Sequence, residues 1–287
     1  MGIQKKSYRF GGVDFSLLLP EERRYLEDAE LNIFSATPGA DGHQFLFELV
    51  DVLPQPDGIL RAQLPNLQVY LDEGGQIRYH GAVKEAWEKA YARGDHRGRI
   101  HRILLKKSRF PQNIQSRIVL NCLSVENLLA DAGGVILHSA FIAWQNQGIV
   151  FTAPSGTGKS TQAALWERHR GAEIINGDRA VLRFEKDRPV AGGLPYSGSS
   201  GICKNRELPL SSVIFLSQAP QTTIRKLEGF EAFRALWSGC SVNIWDRENV
   251  KRISETVERI CRTVPVFHLA CTPDLSAVTA LEQALKE

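Results

Sequence analysis

The run Ala153-Pro-Ser-Gly-Thr-Gly-Lys-Ser160 lies between an apolar segment, Gly148–Thr152, and a helix-like run, Thr161–Arg170. That order constrains the chain more than any other feature. A strand, a glycine-rich loop, a lysine, a hydroxyl and a helix together build a phosphate cradle. Small residues (Ser155, Gly156, Gly158) let the loop curl with its backbone N–H groups pointing inward. The helix that follows adds its positive N-terminal end. In this pattern Ser155, Gly156, Thr157, Gly158, Lys159, Ser160 and Thr161 are the anion-binding candidates. Lys159 reaches the terminal phosphates and the Ser160 hydroxyl binds Mg²⁺. Ala153 stands where the usual pattern has its first glycine. The nest is centred on the later glycines, so a small residue suffices there.

Length and composition bound the setting. The 287 residues suit one large domain or two ordinary ones. With 43% apolar and 23% charged residues, the chain reads as globular and soluble. No apolar run approaches the roughly 18 residues a membrane span needs. The start, Met-Gly-Ile-Gln-Lys-Lys, lacks the apolar core of a signal peptide, so a cytoplasmic location is expected. Five dispersed cysteines (Cys122, Cys203, Cys240, Cys261, Cys271) read as reduced thiols. A net charge of +3 does not by itself argue for nucleic acid. Between Lys84 and Arg109 lie nine Lys or Arg and three acids. That stretch reads as a solvated surface or as a docking surface for an acidic peptide.

The first hundred residues alternate short strands with turns: Ser7–Phe15, His43–Val52, Leu60–Leu64, Leu67–Leu71 and Gln76–His80. A helix is expected over Lys84–Arg93, and an amphipathic one over Asn113–Ala132. The pattern gives an N-terminal α+β module, residues 1–110, that serves as an accessory or substrate-docking unit. Residues 111–287 form the nucleotide-binding unit. There, strands are expected at Val135–Trp144 and Gly148–Thr152, joined by a turn that runs into the loop. Ala172–Asn176 leads through Gly177-Asp178 into Arg179–Phe184, and a turn gives Pro189–Leu194. Strand following strand with no helix between requires a mixed sheet within an α/β fold. Further along, a strand (Ser212–Ser217), two helices (Gly229–Ser238, Asp246–Arg262), a strand (Val264–Ala270) and a helix (Leu275–Leu285, capped by Asp274) close the chain.

Two groups carry chemistry beyond the loop. Asp178, at the end of a strand beside the loop, is placed to bind Mg²⁺, to accept a proton from a hydroxyl, or both. His138, on the strand ahead of the loop, reads on its own as an ordinary strand histidine. The segment Leu194–Arg206 reads as a loop over the phosphates or the acceptor, with Ser199, Ser200, Lys204 and Arg206 as its candidate substrate-contacting residues.

This order of hairpin, phosphate loop, helix, strand to Asp178 and second hairpin resembles the HPr kinase/phosphorylase family. Those enzymes phosphorylate a serine of a sugar-transport phosphocarrier protein, and their superfamily includes ATP-dependent phosphoenolpyruvate carboxykinases. The resemblance covers roughly Val135–Leu194. It implies a mixed-sheet phosphate-loop domain, ATP and Mg²⁺, an active-site role for His138, catalysis by Asp178 and Lys159, a metal held by Ser160 and Asp178, and some homo-oligomeric association.

The departures are specific. The family usually has two adjacent aspartates where this chain has Gly177-Asp178-Arg179. Thr161 replaces its glutamate after the loop hydroxyl, and its carrier-contacting Ile-Arg-Gly-Leu-Gly run is missing. The acceptor implied is therefore a serine of another peptide or small protein, as in reduced family members found beside ribosomally made modified peptides. Small-molecule hydroxyls and a nucleotide-binding regulatory or assembly role remain alternatives. The loop reads phosphates and does not separate ATP from GTP. No membrane or nucleic-acid partner is expected.

Overall fold

The computed structural model describes residues 2–286 apart from 38, 40, 41, 56, 74, 82–89 and 95–98. The chain divides into two compact units, Met1–Leu128 and Leu129–Glu287. It is a mixed α/β protein with parallel and antiparallel strand pairs. No helix among the described residues is long and apolar enough to cross a membrane.

The N-terminal unit contains β1 (Ile3–Phe10), β2 (Val13–Pro20), β3 (Arg24–Leu26), α1 (Ala29–Asn32), β4 (His43–Val50), β5 (Ile59–Leu64), β6 (Leu67–Asp72), β7 (Gly75–His80), β8 (Ala90–Gly94), β9 (Ile100–Lys106), β10 (Asn113–Gln115) and α2 (Ser116–Cys122). Eight strands form one sheet in the order β1-β2-β4-β9-β8-β7-β6-β5, and β10 pairs with β3 apart from it. The strand expected over Ser7–Phe15 is a hairpin instead. Gly11 and Gly12, at φ 58° and 77°, turn β1 into β2, so one apolar run supplies two strands.

Two expected helices differ as well. Of Lys84–Arg93, residues 84–89 lie outside those described, and Ala90–Gly94 is strand β8, paired on both edges with β7 and β9. Sheet pairing overrides the local helical pattern there. The helix expected over Asn113–Ala132 opens as β10 and continues as α2 and α3 (Val125–Asp131). It breaks at Ser124, whose φ of 51° no α-helix accommodates. Its far end is as expected. Gly133 N–H bonds the Ala130 carbonyl at 3.0 Å and Gly134 N–H the Leu129 carbonyl at 2.7 Å, the paired bonds of a Schellman cap. In the basic stretch, Arg102 pairs with Glu48 and Lys107 with Asp51.

The C-terminal unit runs β11 (Val135–Trp144), β12 (Gln147–Thr152), α4 (Lys159–Arg170), β13 (Glu173–Asn176), β14 (Arg179–Glu185), β15 (Arg188–Gly193), β16 (Glu207–Gln218), β17 (Thr223–Leu227), α5 (Gly229–Trp237), α6 (Arg247–Thr263), β18 (Val266–Cys271) and α7 (Leu275–Ala284). The strand β17 is an addition to the sequence reading.

The ten residues of β11 lie between β12 and β14: Ser139–Trp144 pair with β12 and Val135–His138 with β14. From β14 the antiparallel path continues to β15 and β16, and β16 returns to lie parallel to β12. These five strands therefore close a circuit of pairing. Outside it, β18 lies parallel to β16, β17 antiparallel to β18, and β13 antiparallel to β11.

Apolar side chains cover both faces of this sheet. On one, Trp166 of α4 and Ala277, Val278 and Leu281 of α7 pack on Ile142, Phe151 and Ile214. On the other, Ile253, Val257 and Ile260 of α6 and Leu236 of α5 pack on Leu137, Val150 and Val213. The spacing in α6 puts one apolar stripe inward. Each such side chain contributes about 1.5–3 kcal/mol on burial. Asp246 caps α6 through the N–H groups of Glu248 and Asn249, and Asp274 caps α7 through that of Ser276. The result is a rigid sheet with the phosphate loop at the carboxyl end of β12.

Candidate active site

Buried strand β12 ends at Thr152, and the loop leaves it through Ala153, itself 5% exposed. Gly156 and Gly158 take φ of 78° and 114°, values that L side chains rarely adopt. Helix α4 begins at Lys159, and Gln162 N–H bonds the Gly158 carbonyl at 2.9 Å. The curl is tight enough that Lys159 Nζ donates to the carbonyls of Ala153, at 2.9 Å, and Pro154, at 3.2 Å. Ala153 thus contributes its carbonyl, which any residue would. Burial lowers the pKa of Lys159, and the Asp178 charge opposes that shift. Ser160 and Thr161 stand exposed at the head of α4.

A buried asparagine fixes the backbone at Asp178. Asn176, fully buried at the end of β13, donates from Nδ2 to the Leu194 carbonyl at 2.8 Å. Its Oδ1 accepts the N–H groups of both Asp178 and Arg179, each at 2.8 Å. This Asx turn replaces the helix that would usually follow such a strand. Ser139 N–H then ties β11 to the Asp178 carbonyl at 2.9 Å.

The side chains converge. His138 Nε2 lies 3.6 Å from Asp178 Oδ1, and Arg179 Nε donates to Asp178 Oδ2 at 3.1 Å. Arg179 also covers the Tyr196 ring, 5.0 Å from its centroid, an attractive cation–π placement. His138, Asp178 and Arg179 line a cavity of about 390 Å³ with Ala153, Pro154 and Ser155 of the loop. Burial, then Lys159, lowers the pKa of His138; Asp178 opposes this and Arg179 adds to it. Burial and the two neighbouring cations thus disfavour the imidazolium form.

Ser238-Gly239-Cys240-Ser241 forms the remaining wall. This run follows α5 and comes back to β11, where Gly239 C=O accepts the His138 N–H at 2.8 Å. A Cβ on Gly239 would lie 2.5 Å from Thr152 Oγ1 and 2.9 Å from Leu137 Cδ1. Only glycine fits so close an approach. The sequence signal was a glycine after a helix, which looks like any helix terminator.

The candidate substrate loop lies beside Asp178, where a Cβ on Gly198 would come 2.8 Å from the carboxylate, but its two cations bond elsewhere. Lys204 Nζ pairs with Glu173 Oε1 at 2.8 Å, and Arg206 pairs with the same carboxylate. Glu173 opens β13, the end of that strand away from Asn176, and its carboxylate engages both cations. Ser200 Oγ donates to the Ser197 carbonyl at 2.6 Å and accepts the Ile202 N–H at 3.1 Å. Ser199 is exposed. Arg179, not Lys204 or Arg206, is the cation that shares the cavity. Ser200 also packs on Gly177, where a Cβ would come within 2.1 Å of its Oγ.

For a metal, the Ser160 hydroxyl and the Asp178 carboxylate offer hard oxygens, the donor chemistry of Mg²⁺. Among the described residues, no group of three or more His, Cys, Asp or Glu is arranged to hold an ion. All five cysteines are free thiols.

No family model matches the chain. No curated protein matches it. Among solved structures, the HPr(Ser) kinase/phosphatase from Coxiella burnetii aligns over 53% of this chain and 91% of its own, at 13% identity and a TM-score of 0.31. At that score the likeness carries no weight for fold family or activity.

Proposed function

We propose that the chain is an ATP-dependent phosphotransferase of the HPr-kinase-like type, with the mixed-sheet phosphate-loop fold of that group. It transfers the γ-phosphate to a hydroxyl, the acceptor being a serine of a peptide or small protein. The observation that carries this reading is the shared cavity. Asp178, flanked by His138 and Arg179, faces the same space as Ala153–Ser155 of the loop.

Phosphoryl transfer needs positioning and charge neutralisation more than covalent help. Ser155–Thr161 and the head of α4 hold the phosphates, and Lys159 exchanges its carbonyl partners for phosphate oxygens. The acceptor oxygen attacks the γ-phosphorus as the bond to the β-bridging oxygen breaks and ADP leaves. The hydroxyl proton passes to the Asp178 carboxylate. Arg179 balances the charge on the equatorial oxygens, and His138 orients the hydroxyl or the carboxylate. Mg²⁺, held by Ser160 and Asp178 with phosphate and water, would neutralise the β- and γ-oxygens. The N-terminal module docks the acceptor, and the protein works in the cytoplasm as a homo-oligomer.

One observation favours a second reading, nucleotide binding with little catalysis. Among the described residues lining the cavity, Asp178 is the one carboxylate, and Ser200 fills the space a side chain at position 177 would need. Incubation with Mg-ATP and serine peptides, followed by mass spectrometry, separates the two. Transfer lost in Lys159→Ala and Asp178→Asn supports the kinase. Tight binding without transfer or turnover supports the binder, and transfer persisting in Lys159→Ala sinks the mechanism.

A further inference from the structure

Arg179 lines the cavity with Asp178 and the phosphate loop, yet its side chain is 42% exposed. Its Nε donates to Asp178 Oδ2 at 3.1 Å. Among the described residues, its two terminal nitrogens have no hydrogen-bond partner. A planar fork with both prongs free suits a tetrahedral oxyanion, which it meets through two parallel bonds. One bond at Nε still lets so long a side chain swing into water, and ordering it during the reaction costs entropy. A second restraint on the guanidinium plane removes that cost.

The Tyr196 ring supplies it. The guanidinium carbon lies 5.0 Å from the ring centroid, within the range of an attractive cation–π contact. Ring and cation are both registered to one buried side chain. Asn176 Oδ1 accepts the Asp178 and Arg179 N–H groups, and Asn176 Nδ2 donates to the Leu194 carbonyl, all at 2.8 Å. That same carbonyl accepts the Tyr196 N–H at 2.7 Å, in a tight turn that sets where the ring begins. Beyond the ring, Ser197 is buried, and a Cβ on Gly198 would lie 2.8 Å from Asp178 Oδ1. Both partners of the contact are therefore held by buried neighbours before any ligand arrives.

We propose that Tyr196 is a positioning residue: its ring holds the Arg179 guanidinium beside Asp178 with both terminal nitrogens offered to the phosphoryl oxygens. The proposal rests on the cavity being a phosphoryl-transfer site. Tyr196 acts through Arg179 and not on the substrate. A cation preset in this way needs no reorganisation as charge develops on the equatorial oxygens, which is where a fixed charge stabilises most. The aromatic face carries the effect, so phenylalanine can serve in its place and leucine cannot.

A double-mutant cycle on the full chain tests this, with single-turnover transfer from Mg-ATP to a serine peptide and calorimetric ATP binding as readouts. Tyr196→Leu is expected to slow transfer about tenfold with ATP affinity within about twofold, and Tyr196→Phe to stay within about threefold. In an Arg179→Ala background, Tyr196→Leu should change the rate by less than about twofold, because the group through which it acts is gone. The heteronuclear NOE of the Arg179 Nε–H, assigned by its loss in Arg179→Lys, reads the restraint without any chemistry. It should be high in the wild type and in Tyr196→Phe, and reduced in Tyr196→Leu. An undiminished NOE in Tyr196→Leu, an equal loss of rate in Tyr196→Phe, or a full further loss on top of Arg179→Ala overturns the proposal and leaves the kinase reading standing. No transfer by the wild type overturns that reading and the transfer role with it, and the NOE comparison then decides the restraint alone. Should Tyr196→Leu not fold, Tyr196→Met takes its place. If neither folds, a wild-type NOE no higher than that of the exposed Arg188 overturns the proposal, and a higher one supports it.

Discussion

His138 Nε2 stands 3.6 Å from Asp178 Oδ1, too far for a hydrogen bond and close enough for each to feel the other's charge. Arg179 is the carboxylate's bonded partner, and Asp178 lines the cavity beside the loop. That placement is what a proton-accepting role requires. Asp178→Asn keeps the size and the Asx turn, which uses the backbone N–H, and removes the negative charge and with it the basicity. Transfer should fall about 10²–10⁴-fold while ATP affinity changes little, as single-turnover kinetics and calorimetry would show. An equal loss in both would assign Asp178 to the phosphates instead.

His138 gives a pH signature. Its pKa lies below the ordinary 6.5, chiefly through burial. The folded state therefore resists its protonation. The stability linked to it is present above pH 6.5 and lost as pH falls through the lowered value. An NMR titration should place its transition below pH 6.5 in the free protein. His138→Gln should remove the corresponding part of the acid-side loss in melting temperature. A transition above that value would mean Asp178 outweighs burial.

Glu173 engages Lys204 and Arg206, whereas Arg179 bonds to Asp178 within the cavity. Lys204→Ala and Arg206→Ala should leave transfer within about threefold, a small surface effect. Arg179→Ala should lower it by about 10²-fold or more, as loss of a transition-state cation does. Steady-state assays of the three variants with Mg-ATP decide between the two assignments of the charge.

Gly239 is a packing prediction. A methyl group there meets Thr152 Oγ1 and Leu137 Cδ1, both in buried strands. Gly239→Ala should cost about 1–3 kcal/mol, a fall of roughly 2–12 °C in melting temperature by calorimetry. It should also disturb His138, whose N–H bonds the Gly239 carbonyl. Gly133→Ala lacks such a clash, so its penalty should come from the left-handed φ alone and stay near 1 kcal/mol.

Local chemistry carried much of this into the sequence. Ala153–Ser160 announces a phosphate loop because glycine spacing, lysine and hydroxyl act within eight residues of one another. The boundaries of β11, β12 and α4, and the Asp274 cap, follow from nearest-neighbour preferences in the same way. So does the mixed sheet, since Asn176–Arg179 is too short for a helix. The misread segments are those where distant partners decide: β8 takes its conformation from β7 and β9, and Ser124 splits a helix whose apolar spacing runs straight through it.

The site divides along the same line. The sequence by itself determined the glycine-rich loop between β12 and α4 and singled out Asp178, because each belongs to a short ordered pattern, whereas His138 entered through the family resemblance alone. Only the tertiary structure decided that Arg179 rather than Lys204 or Arg206 shares their cavity, that Ser238–Ser241 closes it, and that Gln162 meets Cys271 across 109 positions. Those juxtapositions arise from the closing of β11, β12, β16, β15 and β14 on one another and from the helices packed on both faces. Long-range pairing of that kind leaves no periodicity in the chain. The phosphate loop was readable because its atoms are neighbours in sequence; what surrounds it became readable only once the sheet brought those residues together.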